Sequence, residues 1–156
     1  EKMDILQIIG TAMTPIGELR ASIPLGITVL GLPTWTVFIF SIIGNLIPVP
    51  IILFCLYKGE HLLHQMPGPI KTLLNWRMKK IEQAYKNKIT KYGPLFLIIL
   101  VMIPLPFTGA WTATLTSWVF KIPPIRAFFL IAIGIIMAGL LVTLLTITAV
   151  EIGRKI

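Results

Sequence analysis

The sequence predicts an all-α integral membrane protein: two inverted repeats, each a re-entrant helical hairpin plus a long transmembrane helix, joined by a basic amphipathic helix. Three observations predict it. Of the 156 residues, 56% are hydrophobic and 13% charged, about half the charged share of an ordinary soluble domain, and the mean hydropathy is +0.88. Two apolar tracts reach the roughly 20 residues that a helix needs to cross the hydrocarbon core, while two others stop at a proline well short of that length. The chain also matches itself at an offset of 90 positions. One membrane domain is expected, with repeat 1 at 1–57, a linker at 58–91 and repeat 2 at 92–156.

The first short tract, Ile5 to Met13, runs into Thr14 and Pro15 and is followed by a second short segment, Ile16 to Leu30, ending at "GLPT". Backbone groups freed at such a break cannot face lipid, so the tip must be buried in protein or line a wet cavity. The predicted form is a hairpin that dips in and returns to its own side; the alternative is one kinked spanning helix. Trp35 to Tyr57 comes next, long and nearly free of charge. Its Pro48 and Pro50 remove backbone donors and predict a kink.

Residues 58–91 carry Lys58, Lys71, Arg77, Lys79, Lys80, Lys86, Lys88 and Lys91 against Glu60 and Glu82. That excess places the linker in the cytoplasm by the positive-inside rule. From Ile70 onward Leu73, Leu74, Met78, Ile81 and Tyr85 recur at helical spacing, which predicts a basic amphipathic helix at the lipid headgroups. A nucleic-acid partner is not expected, because no array of stacking aromatics accompanies the charge.

The second half repeats the order. Tyr92 to Ile103 is short and meets a proline, Phe107 to Phe120 returns and ends at "KIPP", and Ile125 to Val150 is long enough to span. In the last segment Gly134, Ala138 and Gly139 form a small-residue surface suited to close helix contact. At the 90-residue offset Leu32, Pro33, Phe38, Ile43 and Gly44 fall on Ile122, Pro123, Phe128, Ile133 and Gly134. A hairpin leaves the chain on its starting side and the following helix moves it across. Each half then makes an odd number of crossings, and the second half must be inverted. Inverted repeats with broken segments at their interface are a construction principle of secondary transporters.

Candidate site residues follow from what is costly in lipid. A Glu or Arg at bilayer depth costs roughly 2.5–3.5 kcal/mol on insertion scales and so faces a cavity or a partner. "PIGELRASIPLGI" holds Glu18 and Arg20, with Ser22 in the same return segment. Thr14 and Pro15 suggest a cap and a first helical position, which would set Glu18 near the positive end of its own helix. Two residues apart, Glu18 and Arg20 point to different helix faces. Arg20 is suited to an anionic headgroup and Glu18 to binding and releasing a proton, unless both snorkel to water. At the matching positions of the second half stand Thr108 and Ala110, within "IPLPFTGAWTATLTSW". Thr108, Thr112 and Thr114 can rebond broken backbone or line a polar cavity, and Trp111 can stack. Asn45 is an amide within the first long span, and Arg126 follows two prolines at the start of the second.

Other chemistries find little support. Cys55 has no partner in the chain, so neither a disulfide nor a multi-cysteine metal site forms within it. "EHLLH" lacks the spacing of a two-histidine zinc helix, and no phosphate-cradling glycine loop or activated nucleophile is evident. No enzyme, metal or cofactor is expected. No cleavable signal is evident at Glu1.

"PIGELRASIPLGI", followed by a Pro and a Trp, and "IPLPFTGAWTATLTSW", followed by "IPP", resemble the prokaryotic small multidrug export protein family over nearly the whole chain. That family is similar in turn to the DedA membrane proteins. The resemblance implies paired re-entrant loops and translocation of phospholipids or polyprenyl-phosphate carriers, with Glu18 at the acidic position of the first loop. The second loop departs from the DedA pattern, having "TGAWTAT" where an arginine is expected. Together these readings predict a multi-pass transporter of a prokaryotic plasma membrane, with membrane lipids around it and a small amphiphilic anion, such as a lipid phosphate, as cargo. Proton coupling is possible through Glu18, and so few helices suggest a homodimer. The alternatives are an exporter of cationic drugs and a non-transporting scaffold.

Overall fold

The computed structural model describes residues 2–15, 17–59, 68–103 and 109–155, and every regular element among them is helical. Helix α1 (Lys2–Met13) precedes α2 (Glu18–Pro24), which continues through a π-helical turn, Leu25–Val29. Then come α3 (Thr34–Leu46), α4 (Pro48–Lys58) and α5 (Gly68–Tyr92). A 3₁₀ turn, Gly93–Leu95, leads into α6 (Phe96–Met102), followed by α7 (Ala110–Val119) and α8 (Pro124–Lys155).

The prolines place the breaks. Helix α1 stops ahead of Thr14 and Pro15, because the residue before proline is pushed out of helical geometry. Pro24 lies inside α2, and just beyond it the ladder widens, with the Leu30 N–H donating to Leu25 O at 3.0 Å. The kink expected from Pro48 is an interruption at Ile47, between α3 and α4. Thr34–Lys58 together comprise 25 residues of mean hydropathy 2.4, and α8 has 32 residues of mean hydropathy 2.8. At ~1.5 Å per residue both are long enough to cross a bilayer.

The chain doubles back between α1 and α2. A Cβ on Gly26 would stand 3.1 Å from Ile8 Cδ1, although a straight helix would separate those residues by about 27 Å. Helices α6 and α7 also pack against each other. In the first half α1 and α2 lie on α3; in the second α6 and α7 lie on α8. Across the halves the exchange is reciprocal, since α2 packs on α8 and α7 packs on α4.

Details recur at the same offset. A Cβ on Gly44 would meet Ile9 O at 2.8 Å, and one on Gly134 would meet Val101 Cβ at 2.7 Å and Ile98 O at 3.1 Å. Each glycine thus lets the short helix lie directly on the long one. Gly31 and Lys121, also 90 positions apart, both take left-handed φ, +61° and +54°, after the return helices. The next N–H in each case reaches back to the helix, Leu32 to Gly26 O and Ile122 to Ser117 O.

The buried core contains Ile8, Leu19, Ile23, Val37, Leu97, Leu100, Ile131 and Ile135. The long helices also expose large apolar side chains, among them Ile39, Phe54, Phe129, Leu140 and Leu144, a surface suited to lipid rather than water. On α5, Ile81 is buried and Leu74, Met78, Tyr85 and Ile89 are half-buried on the face turned to α7 and α6. Leu73, expected on that face, is exposed.

Candidate functional site

Glu18 opens α2 in a left-handed backbone conformation, φ 45°, which costs about 1–3 kcal/mol for a residue with a side chain. Leu19 and Ile23 anchor the helix in the core. The turn before it is closed by Thr14, whose Oγ1 accepts the Gly17 N–H at 3.0 Å and donates to Thr11 O at 2.8 Å. The expectation that Thr14 caps α2 with Pro15 as its first residue is not met: α2 begins at Glu18, its cap position is Gly17 without a side-chain cap bond, and Thr14 closes the turn before it.

Glu18 is 5% exposed. The backbone N–H groups of Ala110 and Trp111 donate to its carboxylate. These residues form the first turn of α7, where the helix dipole and unsatisfied amides attract an anion. Glu18 stands at the positive end of its own helix, as the sequence predicts, and it also reaches the N-terminus of α7. Gly109 makes this approach possible. Its φ of 121° and ψ of −166° belong to a region that is essentially glycine-only, and a Cβ there would stand 2.0 Å from Glu18 Oε2. Glu18 Oε1 is buried without a hydrogen-bond partner among the described residues.

Arg20 is half-buried in the same short helix, and its charge acts on the Glu18 carboxylate. Ser22 is fully buried and donates to Ser41 Oγ at 2.9 Å, tying α2 to α3. One turn along α3, Asn45 is 1% exposed, and its Oδ1 has no partner among the described residues. In α7, Thr114 Oγ1 donates to Trp111 O at 2.6 Å and Thr116 Oγ1 to Thr112 O at 2.7 Å, so these hydroxyls bond their own helix. The Trp111 indole Nε1 is buried and has no partner among the described residues. Thr112 is half-buried on the side facing α5. Arg126 is exposed on the first turn of α8. Thr108 lies outside the described residues, as do Glu60, His61 and His64. Among the described residues no cluster of His, Cys, Asp or Glu is able to hold a metal ion.

Three participants were not singled out from sequence. Gly109 and the amides of α7 carry the Glu18 contact, and the signal was the glycine in "TGAW", one residue beyond the position matching Glu18. Ser41 pairs with Ser22 and had no distinguishing neighbour. Tyr57 donates its hydroxyl to the C-terminal end of α7, at Ser117 O (2.9 Å) and Ile122 O.

Comparison with known proteins gives one family. The model described as "Putative small multi-drug export protein" matches residues 18–141. No curated protein and no solved structure matches the chain.

Proposed function

Because the chain belongs to the small multi-drug export protein family, which the match over 18–141 shows, we propose that it is a membrane transporter moving an amphiphilic anion, such as a lipid phosphate, with Glu18 as its proton-binding group. The observation that carries this reading is the buried Glu18 carboxylate seated on the first amides of α7, with one oxygen unpartnered among the described residues. A carboxylate is an internal stand-in for an external anion at a helix N-terminus. Protonation at Oε1 removes its charge and weakens its hold on the Ala110 and Trp111 amides. Those amides then turn to a phosphate oxygen, with the Arg20 guanidinium as a fixed positive charge nearby. Loss of the proton restores the Glu18 contact and expels the anion. Anion and proton travel together on this scheme.

The architecture that fits is a pair of inverted repeats whose hairpins enter from opposite sides and meet at Glu18 and Gly109. The reciprocal packing of α2 on α8 and of α7 on α4 supports it, as do the paired glycines Gly44 and Gly134. In this scheme α5 lies on the cytoplasmic surface of a prokaryotic plasma membrane, both ends of the chain face outward, and the unit pairs as a homodimer. A second reading, export of an amphiphilic cation neutralising Glu18, draws on the family's description and on the open carboxylate oxygen.

Flux of fluorescent phosphatidic acid through the reconstituted wild-type protein, with and without a pH gradient, tests the proposal. Gradient-driven movement of the phosphatidic acid is expected. Movement of lipophilic cations alone would favour the second reading.

A further inference from the structure

Between α5 and α7 lies a cleft of about 510 Å³, floored by Thr112 and walled by one side of α5. Arg77 and Lys80 stand in its wall, three residues apart and so on neighbouring positions of the helix surface. The remaining wall is apolar, from Trp76, Ile81, Ala84 and Tyr85.

The charges in the cleft are one-sided. Among the described residues, no acidic side chain lines it. Glu82, the acid of α5, lies on another surface together with Lys79 and Lys86, where it offsets one of the two lysines. Among the described residues lining the cleft, Arg77 and Lys80 have no such compensation, so positive charge accumulates there against an apolar wall. The same flank continues outward as Leu73 and Ile70, both exposed, which at a membrane surface meet acyl chains. Tyr85 adds a polar atom, and burial raises its phenol above the ordinary value, so it remains a donor through the neutral range.

We propose that this cleft binds the phosphate headgroup of a single anionic phospholipid, with Arg77 and Lys80 on the phosphate and the acyl chains leaving along Trp76, Leu73 and Ile70. The guanidinium grips two phosphate oxygens and the ammonium supplies a second charge. Lys80 stands 4.5 Å from the Trp76 ring centre, which holds it at the cleft in the absence of lipid. The position gives the site a role within the transport reading, on which this role rests. Thr112 directly follows Trp111, whose amide holds Glu18, so lipid in the cleft lies one residue from the contact it must displace. The cleft is the loading site for the cargo.

Binding is measured without flux, so the two readings fail separately. Detergent-purified full-length protein is titrated with dioleoyl phosphatidic acid and examined by native mass spectrometry, with dioleoyl phosphatidylcholine and inorganic phosphate as competitors. One phosphatidic acid per chain is expected, displaced poorly by either competitor. The pair Arg77→Ala and Lys80→Ala should weaken it by about tenfold or more, as loss of a charge-assisted contact does. The charge-matched pair Lys79→Ala and Lys86→Ala should leave it within a factor of about two, as expected of screened surface charges. Equal loss in both double variants would reduce the effect to general attraction by a basic helix and overturn the site. Displacement by inorganic phosphate at concentrations equal to the lipid would also overturn it, by making the ligand a free anion. A wild-type protein that binds phosphatidic acid yet shows no flux would leave this cleft standing and remove the transport reading.

Discussion

The Glu18 carboxylate fills the space that a side chain at Gly109 would need: a Cβ there would lie 2.0 Å from Oε2 and 2.6 Å from Cδ. Glu18 is the first residue of α2, and Gly109 directly precedes α7. The two broken segments therefore meet through a carboxylate and a patch of bare backbone.

Gly109→Ala should break this seat. The substitution brings both a clash with Glu18 and a φ that alanine avoids, so a loss of at least about 2 kcal/mol is expected. Thermal unfolding in detergent measures it. Glu18→Ala removes the clash but not the φ, so Gly109→Ala should cost at least about 1 kcal/mol less in that background. Additive effects would mean that the two residues are not in contact.

The paired glycines should behave alike, and a third should not. Gly44→Ala and Gly134→Ala force α1 off α3 and α6 off α8, because their Cβ atoms would meet neighbours at 2.8 and 2.7 Å. Each should lower the melting temperature, at a cost of about 1–3 kcal/mol. Gly10 in α1 has nothing within 4 Å of such a Cβ, so Gly10→Ala should be neutral or stabilise by up to about 1 kcal/mol through helix propensity.

Much of this arrangement was legible in the sequence, because prolines and apolar length are local signals. The breaks at Pro15 and Pro48, the two long helices and the amphipathic face through Leu74, Met78, Ile81 and Tyr85 follow from backbone donors and helical period alone. The partner of Glu18 did not. A backbone amide has no side-chain identity, so Ala110 and Trp111 gave no sign that their N–H groups would receive a carboxylate from a residue about 90 positions earlier. Gly109 was visible only as a glycine, and the Ser22–Ser41 pair depends on how α2 leans on α3, which no periodicity encodes.

Tyr57→Phe should loosen the far end of α7. It removes the hydroxyl that reaches Ser117 O and Ile122 O; Ser117 O keeps the Ile122 N–H, so the loss falls on Ile122 O, at a cost of about 1–3 kcal/mol. The check is the melting temperature, with helical circular dichroism unchanged at low temperature.

Sidedness follows from the proposed odd number of crossings per half. In a Cys55→Ala background, Gly153→Cys should react with a membrane-impermeant maleimide on intact cells, and Asn75→Cys only after permeabilisation. Both positions are exposed. Reaction of both from the same side would refute the arrangement.

The central claim is that proton binding to Glu18 frees the N-terminus of α7 for an anion, and Glu18→Gln tests it most directly. The amide keeps the shape but cannot titrate. In proteoliposomes of matched protein content, wild-type flux of fluorescent phosphatidic acid should respond to an imposed pH gradient. The Gln variant should fold, should still bind phosphatidic acid, and should lose the gradient response. Wild-type flux with unchanged pH dependence in Glu18→Gln would contradict the account and leave Glu18 as a structural tie between the two halves.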